Sequence, residues 1–470
     1  MFLIAGLGLL LAGGLFARVF LTMGETTKER IVRGTEPGDS VSRGFDTKGR
    51  FAGLTQPLGR VFDRSGRLLA GYSLVDGHIG RIYPAGDATA HVVGYWTGPI
   101  RDGVGIEKGL VYRSDSLRRS LPEDVSLTID IRLQSEAMTA LGDYYGAVVV
   151  LDPSNGELLA VASNPSYEPS GIFDAETWKR YSTDETRRPL VSRALRDRFS
   201  PGSSIKPLVA AAALANDVPL PESKGFVCTG SYKPGKGIPP ITDHGEVHGK
   251  INLDRAMTVS CNTYFSYLAY ELVGYPRMKE FLESLGANSR LGWQSRLPLN
   301  RSGSLALVSS SVKAADDIAR SRIGIGQASV ELNPVHAAVM YGGIASGGLF
   351  FSPVIETGLQ PDTLATRLAP QIADELAAAL RGPVGRGGTA AGVFSTLANR
   401  GIKVYGKTGT ADREPSGRSP SWFSSFAEKG SRRYVVVVAI EQRRGASAGR
   451  LNGPIARAMY ESLERYGYFR

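Results

Sequence analysis

The sequence predicts an α+β protein whose main domain is an antiparallel sheet covered by helices. Near the start of this domain, two largely apolar stretches are separated by the turn 153–156, which is typical of a hairpin. Near its end, the uninterrupted apolar run 434–440 indicates a fully buried strand. Longer segments with helical periodicity lie between these strands, an order typical of α+β folds. The predicted strands are 146–151, 157–162, 401–407 and 434–442, and the predicted helices are 131–141, 201–214, 253–270, 332–346 and 454–466.

The composition is that of a folded protein with more than one domain. The chain has 470 residues, of which 42% are hydrophobic and 21% are charged, as in ordinary globular proteins. The formal net charge of +10 favours attraction to an anionic envelope or membrane surface. Because the basic residues form no dense stripe with interleaved aromatic residues, we do not expect nucleic-acid binding.

The first 23 residues predict an uncleaved transmembrane anchor. Residues 1–17 carry no charge, and after Arg18 the segment 19–23 is apolar again, which is enough to span a bilayer if Arg18 reaches the interface. Residues 24–124 follow as a linker and a small non-catalytic module, because short strand-like pieces appear only from about residue 57. Residues 125–470 form the predicted main domain.

The segment around Ser203 and Lys206 is the first candidate site. The two residues lie three apart, directly after Pro201-Gly202 and directly before an apolar run, so they would share one face of a helix that begins there. A serine becomes a nucleophile when a neighbouring base accepts its proton, and a lysine can be that base if burial lowers its pKa. The motif alone is weak, because an N-cap serine followed by a solvated lysine has the same spacing.

Two later motifs strengthen this interpretation. Ser260-Cys261-Asn262 and Lys407-Thr408-Gly409-Thr410 follow in the order that penicillin-binding proteins and serine β-lactamases share. Each motif alone could be structural: polar residues beside a helix, or the charged end of a strand. Several flanking segments also match, namely 59–70, 105–108, 127–134, 147–166, 248–249 and 422–423.

With these matches, the chain resembles the monofunctional, class B penicillin-binding proteins from about residue 57 to its end. The resemblance implies the penicillin-binding/β-lactamase-like transpeptidase fold, with residues 24–124 as a small pedestal module. It also implies acyl transfer, in which Ser203 attacks a terminal D-alanyl-D-alanine bond of a peptidoglycan stem peptide and β-lactams inhibit by acylating the same serine.

The resemblance further implies a role for each site residue. Lys206 is the base for acylation, Ser260 relays a proton to the leaving amine, and Asn262 holds the substrate amide and Lys206. Lys407 supplies positive charge beside Ser260. Thr408 and Thr410 bind the terminal carboxylate, and Gly409 leaves room for substrate along the strand. The backbone N–H groups of Ser203 and Thr410 form the oxyanion hole.

We expect no metal and no cofactor. The chain has two cysteines, Cys228 and Cys261, which form no disulfide framework or metal motif. A single disulfide is possible, but a free, buried Cys261 beside the cleft is preferred. His244 and His248 are interpreted as loop or core residues.

The functional prediction is a membrane-anchored peptidoglycan D,D-transpeptidase of cell-wall synthesis with an extracytoplasmic catalytic domain. The family implies a polytopic membrane glycosyltransferase as its partner. The alternatives are a D,D-carboxypeptidase or β-lactamase, in which water accepts the acyl group, and a non-enzymatic penicillin sensor or scaffold. The length and the additional module count against a β-lactamase.

Overall fold

The computed structural model describes residues 58–470 except 76–77, 98–102, 118–122, 290, 300–304, 306, 412–417 and 443–446. The predicted anchor at residues 1–23 therefore lies outside the described residues. Among the helices that are described, none is long and apolar enough to cross a membrane.

The described strands and helices are interspersed along the chain, with some runs of consecutive strands or helices. The strands are β1 (Val61–Phe62), β2 (Leu68–Val75), β3 (His78–Ile82), β4 (Tyr95–Trp96), β5 (Gly103–Val104), β6 (Val125–Ser126), β7 (Tyr145–Leu151), β8 (Leu158–Asn164), β9 (Val227–Cys228), β10 (Ser231–Tyr232), β11 (Ile241–Thr242), β12 (Gly249–Lys250), β13 (Ser311–Val312), β14 (Val330–Glu331), β15 (Leu349–Phe351), β16 (Thr363–Arg367), β17 (Lys403–Thr410), β18 (Ser419–Lys429) and β19 (Arg432–Gln442). The α-helices are α1 (Ala90–Val93), α2 (Gly105–Leu117), α3 (Ile131–Leu141), α4 (Ala175–Ser182), α5 (Lys206–Ala215), α6 (Leu253–Val259), α7 (Asn262–Tyr267), α8 (Tyr275–Ser284), α9 (Asp317–Ser321), α10 (Pro334–Ala345), α11 (Pro370–Arg381), α12 (Ser395–Ala398) and α13 (Ala448–Arg465).

A five-stranded antiparallel sheet, in the order β17–β18–β19–β7–β8, forms the centre of the main domain. Both predicted hairpin strands and both predicted C-terminal strands belong to it. Alternate residues of β7 and β19 face opposite sides, as the two-residue period of a strand requires. Val148 and Val436 pack in the same cluster as α3 and α13, whereas Val149 and Val437 pack in the cluster that contains α5 and α10. The predicted sheet covered by helices is therefore confirmed.

Two of the predicted helices are modified where they carry the motifs. The predicted helix 201–214 begins as a 3-10 turn, Gly202–Ile205, that continues into α5. The predicted helix 253–270 is interrupted at Ser260, whose φ of +59° ends α6 before α7 begins. The last helix begins at Ala448, before the predicted start at residue 454. Pro454 therefore lies inside the helix and not in its first turn.

The N-terminal module is a small sheet in the order β3–β2–β1–β6. β6 pairs in parallel with β1 directly after the predicted boundary at residue 124. Val61, Leu69 and Ile106 belong to the same buried cluster as α5 and α10, so the module packs against the main domain. The division into domains stays a prediction.

Candidate active site

Ser203 lies in the 3-10 turn that leads into the apolar helix α5, and Lys206 is the first residue of that helix. This turn packs closely against the C-terminal end of β17. Gly202 has a φ of +53°, and a Cβ added there would lie 2.4 Å from the carbonyl oxygen of Thr410. Only glycine combines this backbone conformation with this approach. The structure thus brings Ser203 next to the strand that carries the Lys-Thr-Gly motif.

Side chains on two other elements hold this turn in place. The indole Nε1 of Trp422 donates to the carbonyl oxygen of Ser200 at 3.0 Å, and the hydroxyl of Tyr341 donates to the carbonyl oxygen of Ser204 at 2.8 Å. Both aromatic side chains are fully buried. Trp422, in the flanking match 422–423, is therefore a core residue that supports the turn.

The Lys206 amine is buried and bound to the second motif. Its Nζ lies 2.6 Å from the carbonyl oxygen of Ser260, 3.1 Å from Ser260 Oγ and 2.8 Å from Asn262 Oδ1. We expected this amine to lie over the Ser203 oxygen, but no hydrogen bond among the described residues joins the two. Two of its three contacts are pure acceptors, so an unprotonated amine can satisfy both and keep its lone pair available.

Burial lowers the pKa of the Lys206 amine to about 7, against the smaller opposing influence of Cys261 and Asp243. No described carboxylate forms an ion pair with this amine, and the side chain is 0% exposed. A buried cation without a partner loses its proton readily. Lys206 is therefore able to act as a base near neutral pH.

Ser260 connects the two lysines of the site. Its left-handed backbone conformation is uncommon for a residue other than glycine, and it places Ser260 between α6 and α7. The hydroxyl Oγ lies 3.1 Å from Lys206 Nζ and accepts a hydrogen bond from Lys407 Nζ at 2.8 Å. A hydroxyl between two amines can pass a proton from one to the other.

Asn262 is fixed from two sides, and the residue that fixes its backbone was missed in the sequence. The backbone N–H of Asn262 donates to Asp243 Oδ1, and its side-chain amide donates to the carbonyl oxygen of Thr242 at 3.0 Å. Hydrogen bonds from Thr263 and Asn262 outweigh burial and lower the pKa of Asp243. Asp243 lies in a glycine-rich loop outside the three motifs, so no sequence motif points to it.

Lys407 donates to Ser260 Oγ and, at 3.0 Å, to the carbonyl oxygen of Thr408. The side chain is fully buried, and burial together with the charge of Lys206 lowers its pKa well below the usual value. The expected positive charge is therefore not favoured in the free protein. An anion bound beside this amine would favour its proton again, because the opposite charge compensates for burial.

The two threonines of the third motif differ in exposure. Thr410, the last residue of β17, is exposed, whereas Thr408 is buried. The hydroxyl of Thr408 lies 2.6 Å from the hydroxyl of Thr389. If Thr389 donates, the proton of Thr408 stays available for a ligand. In the sequence, the stretch 387–390 that contains Thr389 resembles the family's Gly-Thr-Ala stretch but could equally be a flexible loop, so the predicted site does not include it.

The structure gives Gly409 a role in backbone packing, and its role in leaving room for substrate stays a prediction. A Cβ added to Gly409 would lie 2.2 Å from the carbonyl oxygen of Pro201 and 2.8 Å from the backbone nitrogen of Ser204. The missing side chain therefore lets β17 approach the turn that carries Ser203. Gly326 acts similarly, because its added Cβ would lie 2.1 Å from the carbonyl oxygen of Gly202.

Four potential metal ligands converge behind Ser260 and Asn262: Cys228, Asp243, His248 and Cys261. Their Sγ, carboxylate and imidazole atoms all lie within 4.8 Å of one another. Both cysteines are free and buried, as preferred in the sequence analysis. The interpretation of His248 as an ordinary loop or core residue did not foresee this cluster, because the four ligands are far apart in the sequence.

Comparison with known proteins identifies the family. The model described as the penicillin binding protein transpeptidase domain matches residues 146–461. The peptidoglycan D,D-transpeptidase PbpA of Mycobacterium tuberculosis is 29% identical over 377 residues, which is 72% of either chain. The penicillin G acyl-enzyme complex of penicillin-binding protein A from M. tuberculosis superposes with a TM-score of 0.69 at 25% identity, covering 87% of this chain and 100% of that one.

A second solved structure agrees in fold. The D,D-transpeptidase domain of a peptidoglycan glycosyltransferase from Eggerthella lenta has a TM-score of 0.71 at 26% identity and covers 88% of this chain and 100% of that chain. Together with the ordered motifs around Ser203, Ser260 and Lys407, these matches lead to one conclusion. This chain belongs to the penicillin-binding protein transpeptidase family and is a class B member of it.

Proposed function

We propose that this protein is a peptidoglycan D,D-transpeptidase that cross-links stem peptides through an acyl-enzyme on Ser203 and is inhibited by β-lactams. The observation that carries the proposal is the buried Lys206 amine, bound to Ser260 and Asn262 with no ion-pair partner among the described residues. An amine in this state can accept the proton of a serine nucleophile. The PbpA relative, which is named a peptidoglycan D,D-transpeptidase, supports the choice of substrate.

In the first half-reaction, Ser203 Oγ forms an ester with the carbonyl carbon of the penultimate D-alanine. Lys206 accepts the proton of Ser203, and the C–N bond to the terminal D-alanine breaks. The proton reaches the leaving amine through Ser260, whose Oγ is within 3.1 Å of both lysine amines. Backbone N–H groups of Ser203 and Thr410 stabilise the oxyanion.

The terminal carboxylate of the stem peptide binds at the end of β17. Thr410 is exposed there, and Thr408 can offer its hydroxyl proton when it accepts from Thr389. The carboxylate also brings a negative charge toward Lys407, which favours the protonated amine. Substrate binding thereby separates the two lysines into a charged Lys407 and a neutral Lys206.

In the second half-reaction, an amine of another stem peptide attacks the ester carbonyl. The new amide bond forms, the ester bond breaks, and the proton of the attacking amine returns to Ser203 through Lys206. If water attacked in place of the amine, the enzyme would be a carboxypeptidase or a β-lactamase. These differ from a transpeptidase in how quickly the penicilloyl ester is lost.

Intact-protein mass spectrometry after brief exposure to benzylpenicillin tests this function. We expect one stable penicilloyl adduct on the wild-type protein and none on Ser203→Ala. Ser182→Ala is the matched control, since Ser182 lies on the exposed end of α4 and should leave the adduct unchanged. Rapid loss of penicillin without an adduct would identify a β-lactamase, and an unreactive protein would contradict the enzymatic proposal.

We further propose that residues 1–23 anchor the protein in the bacterial membrane, with the catalytic domain outside the cytoplasm. A polytopic membrane glycosyltransferase would contact the anchor and the N-terminal module. An exported form without residues 1–23 should still bind penicillin in vitro but should fail to complement a deletion strain. Complementation by this form would contradict the proposed membrane partner.

A further inference from the structure

We propose that Arg418 and Arg193 form a second carboxylate-binding subsite, which takes an acidic group of the stem peptide that lies before its D-alanyl-D-alanine end. The identity of this ligand rests on the proposed function. Both guanidinium groups lie over the ring of Tyr145, at 3.9 Å from its centroid for Arg418 and 5.4 Å for Arg193. Both also face the carboxylate of Glu441, at 3.8 Å and 3.3 Å.

The charges of this cluster do not balance. One carboxylate serves two guanidinium groups, since the neighbouring Asp197 is bound by Arg188 at 2.9 Å. Arg193 is fully buried, and besides Glu441 its one acceptor among the described residues is the carbonyl oxygen of Arg187, 3.0 Å from Nη2. Its Nη1 is buried without a hydrogen-bond partner. A bound anion would compensate both the unfilled donor and the excess positive charge.

Arg418 is the basic residue of this cluster that a ligand can reach. Its side chain is 25% exposed, against 1% for Arg193. The ring of Tyr145 and the carboxylate of Glu441 orient its guanidinium, so little side-chain freedom is lost when a ligand binds. A planar guanidinium matches a carboxylate with two parallel hydrogen bonds. Arg418 would therefore contact the ligand, and Arg193 would add a second positive charge from the interior.

The sheet places this cluster at the end where β17 finishes. Pro420, which directly precedes the β18 partner of Thr410, pairs with Glu441, and Glu441 pairs with Tyr145. Since neighbouring strands lie about 4.8 Å apart, Glu441 lies roughly 10 Å from β17. Glu441 also follows Ala439 by two residues, so both face the side of the sheet on which α5 packs. The cluster and the Ser203 turn therefore share one face of the sheet.

The proposed substrate would run toward this cluster. Its terminal carboxylate binds beside Lys407, and its scissile carbonyl lies at the N–H groups of Ser203 and Thr410. The residues before the scissile bond therefore continue past Thr410, in the direction of Arg418. An extended peptide advances about 3.3 Å per residue, so about three residues cover the distance. Peptidoglycan stem peptides carry free carboxylates within this reach, and these are the groups that the subsite would bind.

Two penicillins that differ in one group test the subsite: adipoyl- and hexanoyl-6-aminopenicillanic acid. Their acyl chains have the same length, but the first ends in a carboxylate and the second in a methyl group. We expect the second-order rate constant for acylation of Ser203 in the full chain to be about tenfold higher with the adipoyl compound, as for one hydrogen bond to a charged group. High salt should reduce this ratio, because Arg418 is partly exposed to solvent.

One variant and one control assign the preference to the subsite. Arg418→Gln should bring the ratio of the two rate constants close to one. Arg400→Gln is the matched control, since Arg400 is also a partly exposed arginine, paired with Glu461 and Glu464, and this variant should keep the wild-type ratio. Equal rate constants in the wild-type protein, or a ratio that survives Arg418→Gln, would overturn the proposal.

A measurement without acylation separates the subsite from the proposed function. Saturation-transfer difference NMR should detect N-acetyl-D-glutamate bound to the wild-type protein, and Arg418→Gln should abolish this signal. If neither penicillin acylates Ser203, the proposed function fails and the NMR result decides on the subsite. A signal that depends on Arg418 would then support the subsite, and its absence would overturn it. If both penicillins acylate Ser203 equally fast, only the subsite fails.

Discussion

Two regions of this molecule bury basic side chains, and they do so in opposite ways. In the N-terminal module, the guanidinium of Arg81 contacts the fully buried carboxylate of Glu107 at 2.5 Å and lies over the ring of Tyr72. In the catalytic cleft, Lys206 and Lys407 share the hydroxyl of Ser260, and neither has an ion-pair partner among the described residues. The first arrangement favours the charged form of its basic group, and the second disfavours it.

The difference follows from desolvation and from the sign of the neighbouring charge. Burial alone would lower the pKa of Arg81, but the Glu107 carboxylate outweighs burial and raises it. At the cleft, burial lowers the pKa of both lysines, and the positive charge of Lys206 lowers that of Lys407 further. A buried ion pair that is complete is inert, whereas an unpaired buried amine is a base. A buried basic side chain therefore has a structural role in the N-terminal module and a chemical role in the catalytic cleft.

The largest effect should come from removing the base. Lys206→Met keeps the apolar stem and removes the amine, so acylation of Ser203 by benzylpenicillin should slow by about 10²–10⁴-fold, the usual contribution of a general base. Lys206→Arg should not restore the rate, because a guanidinium stays protonated. Stopped-flow or quenched-flow acylation rates measure both. Lys313→Met, which changes an exposed lysine, is the control. If Lys206→Met acylates at nearly the rate of this control, Lys206 is not the base.

A smaller effect, on stability and not on chemistry, should come from the ion pair. Glu107→Gln leaves the buried Arg81 charge without its partner, so the free energy of unfolding should fall by about 3–5 kcal/mol. Asp317→Asn removes an exposed pair with Arg320 and should cost less than about 1 kcal/mol. Denaturant unfolding measures both variants. The folded Glu107→Gln protein should acylate at the wild-type rate, and slowed acylation would mean that the module and the cleft are coupled.

Much of the fold could be predicted from sequence, because strands and helices with strong periodicity do not depend on distant partners. The run 434–442 and helix α3 lie where their patterns place them. The interruption at Ser260 could not be predicted, since residues 253–270 are helical by local preference. In the structure, the left-handed conformation of Ser260 is accompanied by contacts with Lys206 and Lys407. Both lysines are distant from Ser260 in sequence.

The motif residues could be identified because their order along the chain is specific, whereas the contacts of their supporting residues could not. The segments of Thr389 and Gly326 resemble family elements, and Asp243 lies in no motif. All three acquire their contacts only when β17, α5 and α7 meet. Gly409 is predicted from its motif to leave room for substrate, which stays a prediction, and the structure adds a role in backbone packing that the motif does not reveal. The Cys228 and His248 cluster was missed because its spacing matches no short metal motif.

The most direct test of the comparison is the pH dependence of acylation in the wild-type protein. Lys206 is faced by Lys407, Asp243 and Cys261, and its pKa of about 7 means that the reactive, neutral amine increases as pH rises through 7. The second-order rate constant with benzylpenicillin should rise about tenfold per unit below the midpoint and level off above pH 8, with unchanged melting behaviour as the control for folding. A profile that rises only toward the usual lysine pKa, or that is flat from about pH 5.5 to 8.5, would contradict the account of Lys206 as a buried base.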